Sequence, residues 1–191
     1  MQTLLASLFT LEGLAVVLAI AYLLLAARES LWCWLCAFIS SVIYVWICWQ
    51  ARLYMETALN VFYAVMAVLG WWQWQAGGSG PGARPITVLR WHQHAVIAVL
   101  IVVLSLLNGA VMQRYTDAAW PLVDSFITWS SVVTTFLVVR KVLENWLYWI
   151  VIDGIAVIVY IDRHLYLTAL LFSAYVVIVV FGYFRWRRDY R

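Results

Sequence analysis

A series of apolar runs, each about long enough to cross a bilayer, limits this chain more than any other feature. The clearest is "HAVIAVLIVVLSLLNGAVM" at 94–112, which contains no Asp, Glu, Lys or Arg. A membrane-spanning helix needs about 20 apolar residues. The whole sequence is 66% hydrophobic and only 11% charged, whereas about a quarter of a soluble domain is charged. We therefore expect an integral membrane protein.

The runs favour helices over strands. Backbone polar groups in hydrocarbon must be satisfied within the protein, and barrel strands would alternate apolar with polar residues. Polar, Gly or Pro clusters separate seven apolar segments, so the predicted fold is an all-α integral membrane protein of seven transmembrane helices. The predicted helices lie near 10–27, 31–50, 56–75, 93–112, 120–139, 143–161 and 165–185. A linker-like stretch, "AGGSGPGARP", precedes the fourth helix.

Basic residues are distributed unevenly between the two sides that seven spans would define. One side would hold Arg28, Arg84, Arg90, Arg140, Lys141, Arg185, Arg187, Arg188 and Arg191; the other would hold Arg52, Arg114 and Arg163. The positive-inside rule makes the first side cytoplasmic, with the N-terminus outside and the C-terminus inside. The basic tail "RWRRDYR" suits anionic lipid of the inner leaflet, and nothing calls for nucleic acid as a partner.

An internal repeat is visible between two of the apolar segments. The segment "LYMETALNVFYAVMAVLGWWQW" (53–74) aligns without a gap to "LYLTALLFSAYVVIVVFGYFRW" (165–186), so that Leu53 matches Leu165 and Trp74 matches Trp186. Matched Gly, Tyr and Trp residues are harder to explain by apolar bias than matched Leu or Val. Upstream of these segments the register is less certain, because the loops at the second and sixth helices differ in length.

The repeat predicts two parallel three-helix units joined by helix 4, a 3+1+3 arrangement. The predicted divisions are 1–75 for the first repeat, 76–115 for the linker and helix 4, and 116–191 for the second repeat with its basic tail. Parallel repeats build transporters that open alternately to each side of the membrane, so we expect a carrier.

Ionisable residues within a span cost about 2.5–3.5 kcal/mol at its centre and therefore indicate function. The predicted helices contain three candidates, Glu12, Asp124 and Asp153. Asp153 lies nearest to the midplane, and the other two lie about one turn inside the outer surface. No Lys or Arg lies comparably deep, so we expect the acids to lack a basic partner and to receive a cation.

Two tryptophans precede Asp153 on one helix face. Trp146, Trp149 and Asp153 are spaced i, i+3 and i+7, and an indole face attracts a cation. These residues predict a site for a flat, positively charged ring. Trp146 could equally belong to an interfacial belt, and Asp153 could instead hydrogen-bond to a neighbouring helix.

Asn60 and Tyr63 lie one turn apart on helix 3. The Asn60 amide can donate and accept hydrogen bonds, so it could bind a polar ring substituent or join helices. Most other tryptophans are expected to form two interfacial belts. The inner belt would contain Trp32, Trp71, Trp72, Trp74 and Trp186, and the outer belt Trp49 and Trp120.

No motif of an enzyme or of an ATP-driven pump is present. The sequence lacks G-x-S-x-G, H-E-x-x-H and the P-loop pattern. The C-x-x-C pair Cys33–Cys36 and the H-x-H pair His92–His94 have no further ligand nearby. We therefore expect no catalytic residues, no metal and no cofactor.

Four segments resemble the PnuC-type vitamin transporters, a family that includes nicotinamide riboside carriers and the thiamine carriers called PnuT. They are "LNVFYAVMAVLGWWQW" (59–74), "PLVDS" (121–125), "RKVLENWLYWIVID" (140–153) and "YLTALLFSAYVVIVVFGYFRW" (166–186). The resemblance covers nearly the whole chain. Its specific element is W-x-x-W-x-x-x-[N/D], formed here by Trp146, Trp149 and Asp153.

The resemblance implies a multi-pass carrier of the bacterial inner membrane, related in architecture to the SWEET sugar transporters. It also implies facilitated diffusion, trapping of the substrate by a cytosolic kinase, and a homotrimer. The riboside carriers tend to have Gln where this chain has Asn60, and Asn where it has Asp153. A carboxylate in place of an amide favours thiamine, and nicotinamide riboside, also a cation, stays the alternative.

Overall fold

Seven α-helices make up the chain in a computed structural model, which describes residues 2–52, 54–76, 85–116 and 120–190. Side chains are described there except at residues 2–10, 54 and 55. The helices are α1 (Gln2–Ala27), α2 (Trp32–Gln50), α3 (Tyr54–Ala76), α4 (Trp91–Tyr115), α5 (Pro121–Val139), α6 (Asn145–Asp162) and α7 (Tyr166–Asp189). The prediction of an all-α fold with seven helices is confirmed, although α1 begins at Gln2 rather than near residue 10. Residues 77–84 of the expected linker lie outside the described residues.

Five helices are long and apolar enough to span a membrane, among the described residues: α2, α4, α5, α6 and α7. In α1, the shorter apolar helix Leu11–Ala27 lies within the described side chains. Helix α3 carries polar residues such as Glu56, Asn60 and Gln73, which lower its hydropathy. The structure thus supports a multi-spanning protein and leaves the number seven a prediction.

Helices α1 and α5 end in turns that contain a left-handed residue. Glu29 follows α1 at φ 52°, and Lys141 follows α5 at φ 54°. In both turns two backbone bonds close the helix end: Ser30 N–H to Leu25 and Glu29 N–H to Ala26 after α1, with Val142 N–H to Leu137 and Lys141 N–H to Val138 after α5. This is the Schellman pattern, which satisfies carbonyls at a helix C-terminus. Both turns lead within a few residues into the next helix.

The two turns are separated by the same interval that separates 53–74 from 165–186, which we call the repeat offset. A second pair of left-handed residues, Arg52 and His164, has the same separation. Sequence comparison alone left the register open upstream of residue 53. The loops before α2 (28–31) and α6 (140–144) do differ by one residue, as expected, yet the left-handed residues and the turn hydrogen bonds keep the repeat offset. Leu53, one of the matched residues, lies outside the described residues.

The chain divides into two compact units, residues 1–85 and 86–191. In the first unit α2 packs against both α1 and α3; in the second, α5 packs against α4 and α6, and α6 against α7. Helix α4 therefore belongs to the second compact unit. The predicted boundaries at 75 and 115 divide the chain by sequence repeat, whereas the two compact units are defined by packing. Those boundaries therefore stay a prediction.

One joint holds the last two helices of each unit together. In the second unit the Trp146 ring lies where a Cβ on Gly182 would stand, 2.7 Å from such an atom. Trp146 also meets Trp186 edge to face, with centroids 5.3 Å apart and planes at 88°. Only glycine leaves room for this approach.

The first unit has the same joint at the equivalent positions under the repeat offset. A Cβ on Gly70 would collide with the Trp34 ring, and Trp34 meets Trp74 at 5.3 Å and 85°. Trp74 is 5% exposed and Trp186 0%. The prediction that Trp74 and Trp186 belong to an interfacial belt is therefore wrong, because each fills a helix–helix joint.

Candidate functional site

Asp153 is buried in the middle of α6. It is the ninth of the 18 residues of that helix, and the residue is only 5% exposed. Among the described residues it has no hydrogen bond and no ion pair. Trp149, one turn earlier on the same face, is half-buried. This helix therefore presents an unpaired carboxyl and a partly accessible indole in one stripe.

Trp146, the first tryptophan of that stripe, is 2% exposed. Its ring is packed between Gly182 and Trp186 of α7. Asn145 beside it is fully buried and donates from Nδ2 to the Val142 carbonyl at 2.6 Å. These contacts fix how α6 begins.

Asp124 is not an unpaired acid. One guanidinium nitrogen of Arg163 lies 3.2 Å from its Oδ2 and 3.3 Å from its Oδ1. Helices α5 and α6 follow each other through a short turn, so the start of α5 and the end of α6 meet. The expectation that all three acids lack a basic partner is therefore wrong for Asp124. Both side chains are about one-third exposed, so the pair is worth little in stability.

The predicted residues of the first unit are on two helices. Glu12 of α1 is exposed. Asn60 of α3 is half-buried, and its amide donates to the Glu56 carbonyl at 2.8 Å. The amide oxygen of Asn60 accepts no hydrogen bond from any described residue. Tyr63 packs near Phe62, with ring centroids 5.7 Å apart.

Sequence reasoning missed a polar network at the start of α6. The Tyr148 hydroxyl lies 2.8 Å from Nδ1 of His94, and both Glu144 oxygens accept from the Leu89 N–H at 3.2 Å. The signal was present as H-x-H at His92–His94 and as the i, i+4 pair Glu144–Tyr148. In the sequence the H-x-H pair suggests only a metal motif, because its aromatic partner is far away along the chain.

Two buried hydroxyls on α5 were also missed. Ser130 and Thr134, one turn apart, are 2% and 0% exposed, and neither hydroxyl has a partner among the described residues. Their neighbour Thr135 instead donates to the Ser131 carbonyl at 2.7 Å. Hydroxyls in helices commonly donate to a carbonyl one turn earlier in this way. Ser130 and Thr134 make no such bond to a described residue, so both keep unused hydrogen-bonding capacity although they are buried.

A groove between α2 and α3 has a volume of about 260 Å³. Its lining is wholly apolar: Phe38, Val42, Val45, Val61, Ala64, Val65 and Val68. Its lining offers no polar or charged side chain for a cation.

Comparisons with known proteins identify the family to which these helices belong. The profile of the family described as "Nicotinamide mononucleotide transporter" matches residues 10–188. The chain belongs to this family. The match covers nearly the whole chain and includes at least part of every helix.

Curated relatives of this PnuC-type chain are distant. It is 22% identical over 182 residues to the "Riboflavin/roseoflavin transporter RibM" of Streptomyces davaonensis, covering 92% of this chain and 85% of RibM. It is 23% identical over 185 residues to the "Nicotinamide riboside transporter PnuC" of Escherichia coli K12, covering 84% and 77%. The two relatives differ in the compound that they are named for.

A solved structure shares the fold. The chain in "Crystal structure of the Vitamin B3 transporter PnuC" superposes with a TM-score of 0.76 at 19% identity, covering 93% of this chain and 80% of that one. The family membership makes this chain a vitamin transporter, not an enzyme, and a multi-pass protein of the bacterial inner membrane.

Proposed function

We propose that this PnuC-type protein carries a flat, positively charged vitamin, with thiamine favoured, by facilitated diffusion. The observation that carries the proposal is the unpaired carboxyl of Asp153, buried halfway along α6 one turn from Trp149. A buried ionised group without a partner costs several kcal/mol. A cationic ligand would supply the missing partner.

Trp149 is the residue proposed to stack on the ring of the vitamin. Its side chain is half-buried and so keeps some accessible surface, and a cation over an indole gains about 0.5–2 kcal/mol. In the same proposal Trp146 supports the site indirectly, by packing α6 against α7, because its ring already fills the joint with α7.

Asn60, Tyr63, Glu12 and Asp124 are proposed as further substrate-binding residues. The free amide oxygen of Asn60 suits the exocyclic amine of an aminopyrimidine. Asp124 acts in this proposal only when it leaves Arg163. Exposed Glu12, which is equivalent to Asp124 under the repeat offset, would attract cations to the outer side.

Two other vitamins compete with thiamine. Nicotinamide riboside carries a cationic pyridinium, and the PnuC relative of E. coli is named for it. The RibM relative is named for riboflavin, but the riboflavin ring is neutral and leaves Asp153 without a partner. The two unpaired hydroxyls of α5 suit any of the three, since each ligand carries a hydroxylated substituent.

The proposed mechanism is alternating access without coupling to an energy source. No P-loop occurs in the sequence, and among the described residues one acid, Asp153, lies deep in a span without a partner. Proton pumps use chains of such residues. A cytosolic kinase that phosphorylates the vitamin would then prevent its return.

The rest of the predicted arrangement is part of the proposal. The turns and joints that recur at the repeat offset support a 3+1+3, SWEET-like chain topology. Arg185, Arg187 and Arg188 are exposed and would bind anionic lipid of the inner leaflet, with the N-terminus outside. The homotrimer rests on family resemblance alone.

A binding screen tests the substrate. Titration calorimetry on the purified protein would measure Kd for thiamine, nicotinamide riboside and riboflavin. We expect saturable binding with thiamine tightest. Tighter binding of riboflavin than of either cation would contradict the role given to Asp153, and binding of none of the three would overturn the proposed function.

A further inference from the structure

A polar network ties the start of α4 to the start of α6. Leu89 N–H donates to both oxygens of Glu144 at 3.2 Å. One turn later the Tyr148 hydroxyl lies 2.8 Å from His94 Nδ1, and the two rings stack 6.0 Å apart at 15°. His94 Nε2 lies 3.9 Å from Glu144 Oε1. Helix α6 is thus held at two points by the start of α4.

Backbone bonds reinforce the same contact. Thr87 N–H donates to the Lys141 carbonyl at 2.9 Å, and Leu143 N–H donates to the Thr87 carbonyl at 2.8 Å. The segment before α4 therefore lies along the turn between α5 and α6 as one parallel bridge. The network is anchored to backbone on both sides, which makes it stiff.

These contacts fix the rotation of α6 about its axis. Glu144 and Tyr148 are four residues apart and share one face, whereas Trp146 points about 200° away from Tyr148. Trp146 is held by the glycine joint on α7. A rotation of α6 would therefore break contacts on both of its sides. A rotation of about 20° would move a side-chain tip by roughly 2 Å at the radius of a helix.

We propose that His94 and Tyr148 are positioning residues for substrate binding: they fix the rotation of α6 and so the direction in which Trp149 and Asp153 point. The proposal rests on the proposed function, because that function assigns Trp149 and Asp153 to the ligand. Helix α4 then has a role beyond connecting two repeats.

The first test is Tyr148→Phe, which removes one oxygen and keeps the stacked ring. Titration calorimetry with thiamine, or with whichever vitamin the screen selects, should show Kd raised about three- to tenfold, the effect of one hydrogen bond. The matched control is Tyr166→Phe. Its hydroxyl lies 2.9 Å from Nδ1 of His164 but is exposed and local in sequence, so Kd should not change.

A double-mutant cycle separates positioning from plain stabilisation. If Tyr148 acts by aiming Asp153, its loss should raise Kd by less than twofold when Asp153 is already Asn. A structural role would lower the thermal midpoint and raise Kd equally in both backgrounds. An equal loss, or an unchanged Kd in the single variant, overturns the positioning role.

A second pair of variants covers a Tyr148→Phe protein that does not fold. His94→Gln should raise Kd, and His92→Gln should leave it unchanged, because exposed His92 has no hydrogen bond or ion pair with any described residue. If Asp153→Asn weakens vitamin binding but Kd is unchanged in both Tyr148→Phe and His94→Gln, this inference alone is overturned. Binding that Asp153→Asn does not weaken overturns the proposed site and this inference with it.

Discussion

At the scale of residues, the strongest feature is the carboxyl of Asp153, which is buried and has no hydrogen bond or ion pair with any described residue. The apolar sequence around residue 153 was enough to predict its depth, because hydropathy and helix length place it midway along a span. The sequence could not place Trp146, since the i, i+3, i+7 pattern shows a shared face but not which neighbouring helix takes each ring. Nor could it predict the partner of Asp124, because Arg163 follows α6 and reaches back through a long side chain.

Replacing Asp153 by Asn should weaken a cationic ligand selectively. The charge interaction is lost while size and hydrogen bonding are kept, so Kd for thiamine should rise about tenfold or more. A neutral analogue with the same ring shape should lose much less. Titration calorimetry on both ligands measures the difference, and equal losses would remove the charge argument.

Replacing Trp149 by Ala should cost about 1–3 kcal/mol of binding free energy through lost stacking. Intrinsic fluorescence or calorimetry gives the Kd, and circular dichroism verifies that the helices persist. A useful control is Trp72→Ala, because Trp72 is 68% exposed on α3 and should not affect Kd. An unchanged Kd for the Trp149 variant would make that residue structural.

At the scale of elements, each unit has one helix pair closed by an indole over a glycine. The seven helices and most of their ends followed from apolar runs and their breaks, but the joint did not. A matched Gly and Trp in two segments revealed a repeat, yet only the packing shows that Trp34 and Trp146 occupy the space beside those glycines. Interfacial tryptophans and joint tryptophans have the same local sequence surroundings, which is why the prediction for Trp74 and Trp186 was wrong.

Gly182→Ala should destabilise the α6–α7 pair by about 1–3 kcal/mol, because the new methyl group would lie 2.7 Å from the Trp146 ring. Thermal unfolding in detergent, followed by circular dichroism, measures the loss. Gly154→Ala on α6 is the control, since a Cβ there meets no atom within 4 Å, and alanine favours a helix. A variant at Gly182 as stable as the one at Gly154 would contradict the tight joint.

At the scale of the whole molecule, sequence and family agree on a membrane carrier, and we propose that a few side chains select its cargo. Composition was enough to predict the membrane and the fold class. In the proposed function, substrate identity depends on Asp153, Trp149 and Asn60. Related proteins at 22% and 23% identity are named for different vitamins. Such specificity cannot be obtained from hydropathy.

Proteoliposomes should take up labelled thiamine without an imposed proton or sodium gradient and stop at equal concentrations inside and outside. Downhill movement needs no energy source, so addition of an ionophore should not change the initial rate. Accumulation that collapses with the ionophore would show coupling. When a thiamine kinase and ATP are enclosed in the proteoliposomes, label should accumulate inside above the outer concentration, in the phosphorylated form.

The spacing from the helix-ending turn to the tryptophan joint is the same in both units, which bears on how the repeat could have arisen. From Leu25 to Trp74, and again from Leu137 to Trp186, corresponding turns and rings occur at the same intervals. A duplication without a later net insertion or deletion in either copy would give this equal spacing. Many side chains at corresponding positions differ, whereas the number of residues between corresponding turns and rings is the same.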